Sequence, residues 1–224
     1  AKLSFKIMES VRKGKVKRGG FQDGWVETMQ EHGVPEWYIT SLSKIAYLFP
    51  KAHAVAYVMM AFRIAWFKVY QPLAYYAAYF TIRAEGSFNA PVILKGLESQ
   101  KAELARIAAL EHSTAVEKGN ATVIEVAAEM YLRGMEFLPI DLDRSDASEF
   151  KMVDGKLLPP FNCIPALGDA VAKEIVRARD EHLFTSKEDL KKRGKVSQSI
   201  IDTMDSMGIL KNMPDEEQIS LFSF

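Results

Sequence analysis

The sequence is poor in cysteine, has no net charge, and contains no apolar run of comfortable membrane-spanning length. Its 224 residues include one cysteine, Cys163, which excludes an internal disulfide framework and fits a reducing cytoplasm. The 29 basic residues balance 29 acidic ones, and 48% of the chain is hydrophobic, as in a globular protein of one large or two small domains. The longest apolar run, residues 52–67, carries Arg63, and no secretory leader opens the chain. We therefore expect a soluble, cytoplasmic protein without membrane contact.

The zero net charge hides local polarity. Residues 1–20 contain seven lysines and arginines but only one acidic residue, Glu9, and a second basic cluster occupies residues 191–195. Acidic residues gather at 141–146 and in the segment 213–217. Each cluster alone can be a solvated face. Two basic clusters on either side of aromatic-rich helices nevertheless favour polyphosphate or nucleic acid as a ligand.

Apolar spacing predicts a mainly α fold with one small β-hairpin. Helical patterns cover residues 3–13, 23–32, 37–45, 73–82 and 122–133, and a single amphipathic pattern covers 90–117. Residues 54–69 are apolar nearly all round, which predicts a helix at the centre of a core. Asp154 and Gly155 favour a tight turn between strands at 149–153 and 156–158. The acidic residues Asp141, Asp143 and Asp146 are predicted to form turns and caps.

The residues near the end of the chain have the pattern of a short recognition motif. Gln218, Leu221 and Phe222 follow an acidic, proline-led leash, residues 213–217. Apolar side chains on such a terminus usually bind another protein. The segment resembles the peptide with which bacterial replication proteins bind the ring-shaped sliding clamp. A tail folded back on its own domain is the alternative.

A hairpin followed by a helix occurs at residues 164–177 and resembles the helix-hairpin-helix DNA-binding motif. Such a turn lets backbone N–H groups approach a phosphate, and the next helix directs its positive N-terminus there. Ala166 occupies the position where the first glycine usually stands. The resemblance assigns backbone contacts with DNA to Ala166, Leu167, Gly168, Asp169 and Ala170. A degenerate second copy would reach the opposite strand with Lys192, Arg193, Lys195 and Ser197. A purely structural helical hairpin is the alternative.

The start of the apolar helix carries a second candidate site. Lys51 and His53 stand where free N–H groups and the helix dipole favour an anion, and Tyr57 shares a face with His53. A histidine that caps the helix or belongs to the core is the alternative.

Several longer runs resemble one family throughout. Residues 5–15, 32–38, 49–57, 75–84 and 138–146 resemble the PolC-type α subunits of bacterial DNA polymerase III. In that family the fingers, a helix-hairpin-helix duplex-binding domain and a clamp peptide follow one another in this order. The resemblance implies a fingers remnant at 1–88, a helical connector at 89–137, a helix-hairpin-helix domain at 138–212 and a flexible clamp-binding tail at 213–224.

The resemblance also implies partners and roles. The partners would be primer–template DNA, a deoxynucleoside triphosphate, the β sliding clamp and the upstream palm of the same polymerase. Residues near the incoming nucleotide would be Lys51, His53 and Tyr57, and Arg12, Lys13 and Lys15 would face its triphosphate or the template backbone. No cofactor is expected in this part of the chain, because the family's Mg²⁺-binding aspartates lie upstream in the palm, so the chain should be inactive alone. A non-catalytic DNA- and clamp-binding module of a repair or loading factor is the alternative, as is a purely structural domain.

Overall fold

A computed structural model describes residues 2–216 of the chain, apart from the side chains of residues 83–85. These residues form twelve α-helices, one short 3-10 helix and one two-stranded hairpin, which confirms the mainly α class. They divide into two compact units, Ala1–Ile64 and Ala65–Phe224. The four domains predicted from the sequence divide the chain by role, whereas these two units divide it by contacts. The limits of the four domains stay a prediction.

The first unit packs short helices around a small apolar cluster. Its helices are α1 (Lys2–Arg12), α2 (Lys15–Gly19), α3 (Trp25–Glu31), α4 (Glu36–Ser43) and the first part of α5 (Lys51–Tyr70). Its core consists of Ile7, Val11, Val16, Trp25, Met29 and Ile39. Gly14 joins α1 to α2 with φ +66°, and a Cβ there would lie 1.9 Å from the carbonyl oxygen of Ala46. Only glycine therefore permits this close approach.

Helix α5 differs from its prediction. The apolar pattern at 54–69 predicted a core helix, and that is wrong for this chain: none of the residues of α5 is buried. An all-round apolar helix needs partners on every side, whereas the apolar side chains of α1–α4 pack into a cluster of their own. Side chains such as Phe62 and Tyr57 stay 73% and 65% exposed.

The same exposure bears on membranes. Helix α5 has 20 residues and an 18-residue window with a mean hydropathy of 1.2, so among the described residues it is the one helix that could cross a membrane by length and composition alone. The last turn of α5, which belongs to the second unit, makes polar contacts with helix α9 (Ala115–Leu132) and the residue after it. The Nζ of Lys68 lies 2.7 Å from a carboxylate oxygen of Glu129, and Arg133 donates to the Lys68 carbonyl oxygen at 2.9 Å. Both partners belong to the second unit.

The second unit contains one large core. Its further elements are α6 (Pro72–Ser87), α7 (Ala90–Ile93), α8 (Leu97–Ala108), α9 (Ala115–Leu132), β1 (Lys151–Val153), β2 (Lys156–Leu158), a 3-10 helix (Phe161–Cys163), α10 (Asp169–Glu181), α11 (Lys187–Arg193) and α12 (Gln198–Ser206). The rings of Phe80, Phe88, Phe137 and Phe150 meet at its centre, with centroids 5.1–5.9 Å apart. Helices α6 and α9, the β-hairpin and α10–α12 all contribute to this core.

The single amphipathic pattern at 90–117 is not a single helix. It divides into α7 and α8 at Gly96, whose φ is +95°, and α9 begins at Ala115 rather than at 122. Thr114 starts α9 with a capping box, since its hydroxyl accepts from Glu117 N while the Glu117 carboxylate accepts from Thr114 N. The T-x-x-E spacing of such a box is a sequence signal for this start.

The β-hairpin forms where it was predicted. Strands β1 and β2 pair antiparallel, with Val153 opposite Lys156. Asp154 and Gly155 both have positive φ, 52° and 75°, as the type I′ turn requires. The turn therefore matches the right-handed twist of the two strands.

Candidate nucleic-acid interface

The first hairpin, residues 164–168, connects the 3-10 helix to α10. Ile164 and Leu167 are buried and fix it to the core, and Leu167 N donates to Ile164 O at 3.1 Å. Ala166 between them is exposed and has φ +63°, the left-handed region that favours glycine. Burial of Ile164 and Leu167 on either side of the exposed Pro165–Ala166 pair holds the turn in this conformation.

The N-terminus of α10 lies directly after this turn. Gly168 precedes the helix without a side-chain cap, and its carbonyl oxygen accepts from Val171 N and Ala172 N. The helix dipole therefore directs partial positive charge toward solvent beside the hairpin. The carboxylate of Asp169, which would oppose an anion there, accepts a hydrogen bond from Asn162 Nδ2 at 2.9 Å.

The second hairpin, residues 193–197, joins α11 to α12. Gly194 is packed so closely that a Cβ would lie 2.7 Å from Leu190 O. Lys195 has φ +53°, Val196 is buried, and the Ser197 hydroxyl accepts from Ile200 N to cap α12. Two hairpins of similar form thus occur in succession, as the sequence predicted.

The predicted DNA-binding cations of the second hairpin have different surroundings. Arg193 is held inside the domain: it donates to Asp189 Oδ2 at 2.9 Å, to His182 O at 2.7 Å and to Ala178 O, and lies over the ring of Phe184. Its part in DNA binding stays a prediction, and these contacts favour a structural role.

Lys195 and Lys192 remain at the surface. The ammonium of Lys195 lies 2.9 Å from a carboxylate oxygen of Glu174. Hydrogen bonds from Arg177 and then from Lys195 lower the pKa of Glu174 to about 2. Lys192 is exposed and makes no ion pair within residues 2–216. Lys192 is therefore the predicted cation most available to a phosphate.

Sequence reasoning missed a cavity beside the first hairpin, which we call the hairpin cavity. Its volume is about 440 Å³, and it is lined by residues 86–89, Asn120 and residues 162–168. The polar side chains on its wall are Ser87, Asn89, Asn120 and Asn162. No sequence signal joins them, because they come from three distant parts of the chain.

The candidate nucleotide residues lie in the first unit. The ring of His53 is 4.8 Å from that of Phe49 and 4.4 Å from that of Tyr57, measured between centroids. The structure thus brings the rings of His53 and Tyr57 together on α5, and the exposed Lys51 is the first residue of the same helix. These positions are compatible with the predicted role and do not test it.

The basic residues of α1 and α2 are only partly free. Arg12 and Lys13 each lie 2.8 Å from a carboxylate oxygen of Glu9. These contacts, with Arg12 first, lower the pKa of Glu9 to about 2. Lys15 is exposed and makes no ion pair within the described part of the chain. The backbone N–H of Leu48 donates to Arg12 O at 3.0 Å, which joins α1 to the segment before α5.

The clamp-binding prediction for Gln218, Leu221 and Phe222 lies outside the described residues. The leash that precedes them is docked as far as Asp215. Lys187 N donates to Pro214 O at 2.9 Å and Glu188 N donates to Asp215 O at 3.0 Å. The Lys187 ammonium also lies 3.0 Å from the Asp215 carboxylate.

The acidic residues of the second unit do not form a metal centre. Within residues 2–216, no group of three or more His, Cys, Asp and Glu side chains is placed to hold a metal ion. Asp141 Oδ1 accepts from the backbone N–H groups of residues 143 and 144, and Asp146 Oδ1 from those of 148 and 149. The turn-forming role predicted for Asp141 and Asp146 is confirmed.

Comparisons with known proteins agree with this geometry. Residues 134–219 match the family described as the helix-hairpin-helix motif. The chain is similar to the DNA polymerase III PolC-type of Thermotoga maritima, with 50% identity over 220 residues, which are 98% of this chain and 16% of the relative. It is 52% identical to that of Listeria monocytogenes over 223 residues and 51% identical to that of Bacillus subtilis over 221, in each case 98% of this chain and 15% of the relative. The chain thus spans about one-sixth of the length of these curated relatives.

Proposed function

Because this chain belongs to the PolC-type DNA polymerase III family, we propose that it is the C-terminal part of a replicative DNA-directed DNA polymerase. In that role it grips duplex DNA, positions the incoming nucleotide and tethers the enzyme to its sliding clamp. The observation that carries the proposal is the first hairpin. It lies inside the segment that matches the helix-hairpin-helix family, and it presents an uncapped helix N-terminus to solvent.

The duplex grip rests on backbone contacts. The N–H groups of residues 166 and 168–170 and the dipole of α10 attract a phosphate without reading a base, while the N–H of Leu167 holds the turn by donating to Ile164 O. Lys192, exposed and without an ion pair within residues 2–216, adds a positive charge beside the second hairpin. Contacts of this kind hold any duplex sequence, which is what a replicative enzyme requires.

Nucleotide positioning falls to the first unit in this proposal. Lys51 and His53 stand at the start of α5, where the helix dipole favours the triphosphate, and His53 is braced by Phe49 and Tyr57. Lys15 supplies a further exposed cation. The apolar surface of α5 would be covered by the remaining parts of the polymerase. Its complete exposure here and the sixfold greater length of the relatives support that assignment.

Clamp tethering is proposed for Gln218, Leu221 and Phe222. Binding a ring that encircles DNA makes every rebinding step intramolecular, which raises apparent affinity without new DNA contacts. The alternating polar and apolar residues after an acidic leash support this proposal. Their deletion should leave distributive synthesis by the full enzyme and shorten its products when the clamp is present.

The chemical step belongs elsewhere in the longer protein. Polymerases hold two metal ions about 4 Å apart with carboxylates, and the acidic residues described here do not fit such a site. We therefore expect Mg²⁺ to bind upstream aspartates in the whole enzyme and this chain alone to be inactive.

The test is fluorescence anisotropy of a labelled primer–template duplex, titrated with the chain at two salt concentrations. Gly168 has φ −81° and open space where a Cβ would be, so Gly168→Val should fold and obstruct the phosphate. Gly19→Val is the matched control, since Gly19 also has open space around it but lies in the first unit. Lys192→Ala should lower the slope of log affinity against log salt by about one.

We expect Gly168→Val to weaken duplex binding and Gly19→Val to leave it unchanged. Salt-independent binding, or equal binding by Gly168→Val and the unaltered chain, would contradict the proposed grip.

A further inference from the structure

The hairpin cavity extends beyond the helix-hairpin-helix segment. Its hairpin wall lies within residues 134–219, which match that family, but Asn89 and Asn120 lie before that segment. Asn89 follows the end of α6, and Asn120 lies in the second turn of α9. The side chain of Asn89 does not cap α7, and neither asparagine makes a side-chain hydrogen bond within residues 2–216. Two half-buried amides therefore face this cavity with unused hydrogen-bonding capacity.

The wall that carries these amides is rigid. Phe88 and Ala90, on either side of Asn89, are buried in the same core as Ile164 and Leu167 of the first hairpin. The end of α6 also contacts α9, because a Cβ at Gly119 would lie 3.4 Å from the Ser87 hydroxyl oxygen. The backbone at Asn89 and Asn120 is thus fixed by its packed neighbours, so both side chains project from a rigid wall of the cavity.

The chemistry of the cavity fits a phosphodiester. Among the side chains that the structure describes, no charged one lines it, and its donors are amide groups, a hydroxyl and the backbone of the hairpin. Its volume of about 440 Å³ is in the range of small-ligand sites, and so has room for a phosphodiester with its sugars. Asn162 holds the Asp169 carboxylate by a 2.9 Å hydrogen bond, and Asp169 is not among the lining residues.

Asn162 has one side-chain acceptor left over beside the cavity. Its Oδ1 is buried and accepts no hydrogen bond within the described part of the chain. A phosphodiester has no donor to offer, whereas a water molecule can donate both to this oxygen and to a phosphate oxygen.

From these observations we propose that the hairpin cavity binds one phosphodiester of the product duplex, and that Asn89 and Asn120 donate hydrogen bonds to it opposite the first hairpin. This inference rests on the duplex grip proposed above and adds two contact residues from outside the motif. Amide donors are neutral, so they position the strand without releasing counterions.

The test compares Asn89→Ala and Asn120→Ala with Asn212→Ala in the anisotropy titration. Asn212 is an exposed asparagine of the same unit that lines a different cavity, which makes it the matched control. Loss of one hydrogen bond should weaken duplex binding about threefold to tenfold for each cavity variant. The salt slope should stay unchanged, in contrast to Lys192→Ala. The thermal unfolding midpoint should not fall, because neither amide has a side-chain partner within residues 2–216 and alanine favours the helix at position 120.

Three results would overturn the inference or its premise. If both cavity variants bind as the unaltered chain does while Gly168→Val binds weakly, the grip exists but does not include the asparagines. If Gly168→Val and Lys192→Ala also bind normally, the proposed grip itself fails. If inorganic phosphate without DNA stabilises the chain thermally and Asn120→Ala abolishes that effect, the cavity is a free-anion site rather than a duplex contact.

Discussion

Arg193 offers the sharpest test of structural against nucleic-acid roles. It was predicted to contact DNA, yet its guanidinium is engaged with Asp189, with the carbonyl oxygens of Ala178 and His182, and with the ring of Phe184. These contacts connect α11 to the end of α10 across the loop between them. Arg193→Ala would remove all of them together.

The expected loss can be estimated from burial. The Asp189 side chain is 8% exposed and that of Arg193 is 27% exposed, so the pair is largely buried. Removal of one partner of a buried pair costs about 3–5 kcal/mol. Partial exposure of Arg193 and the remaining hydrogen bond from Thr185 N to Asp189 reduce this cost. We expect Arg193→Ala to lower the free energy of unfolding by about 2–4 kcal/mol.

The assay is urea unfolding followed by far-UV circular dichroism, with amide hydrogen exchange to locate the loss in α10 and α11. Lys192→Ala is the neighbouring control, because Lys192 is exposed and unpaired within residues 2–216 and should change stability by less than about 0.5 kcal/mol. Adding Asp189→Ala completes a double-mutant cycle, which should give a coupling energy of about 1–3 kcal/mol.

A structural role for Arg193 would be refuted if Arg193→Ala unfolded at the same urea concentration as the unaltered chain but lost duplex binding with a reduced salt slope. That outcome would return Arg193 to the DNA interface and show that its internal contacts contribute little to stability.

Three further predictions concern other parts of the chain. Ala166→Gly should tighten duplex binding and change the free energy of unfolding by less than about 0.5 kcal/mol. The stability change is small because relief of the left-handed alanine is offset by the greater unfolded-state entropy of glycine. Anisotropy measures the binding and urea unfolding the stability, and weaker binding would contradict the prediction. Lys187→Ala should speed amide exchange at Glu188 about twofold to fivefold as the leash loosens from Asp215, with global stability nearly constant; unchanged exchange would show that the backbone bonds alone hold the leash. The Glu9 carboxylate should titrate near pH 2 by NMR, because its ion pair with Arg12 favours the charged form. Its contribution to stability should be complete above about pH 4.5 and lost as the pH falls through 2, and Glu9→Gln should lack this loss.

Elements defined by local signals were predicted correctly. The Asp154–Gly155 turn follows from the φ preferences of two residues, and α10 follows from the hairpin-then-helix pattern at 164–177. The start of α9 was missed although its capping box is a local signal, because the apolar spacing continues through the break at 109–113.

The surroundings of the site residues could not be predicted in the same way. One basic run contains Arg193, Lys192 and Lys195. Only the fold determines that Arg193 bonds to Asp189, that Lys192 has no ion pair within the described residues, and that Lys195 meets Glu174. The partners of these cations lie up to 21 residues away, so composition gives no indication of them. The asparagines of the hairpin cavity are similarly distant in sequence, and the apolar surface of α5 depends on what packs against it.

The four-phenylalanine centre of the second unit limits how freely this DNA-binding motif can be moved between proteins. Phe80 and Phe88 precede the matched segment that begins at residue 134, yet their rings interlock with Phe137 and Phe150 inside it. Excision at residue 134 would leave two large aromatic faces uncovered. The part of the chain that can be transferred and still fold is therefore larger than the helix-hairpin-helix segment. A recombinant protein must include α6 and α7 as well as the two hairpins.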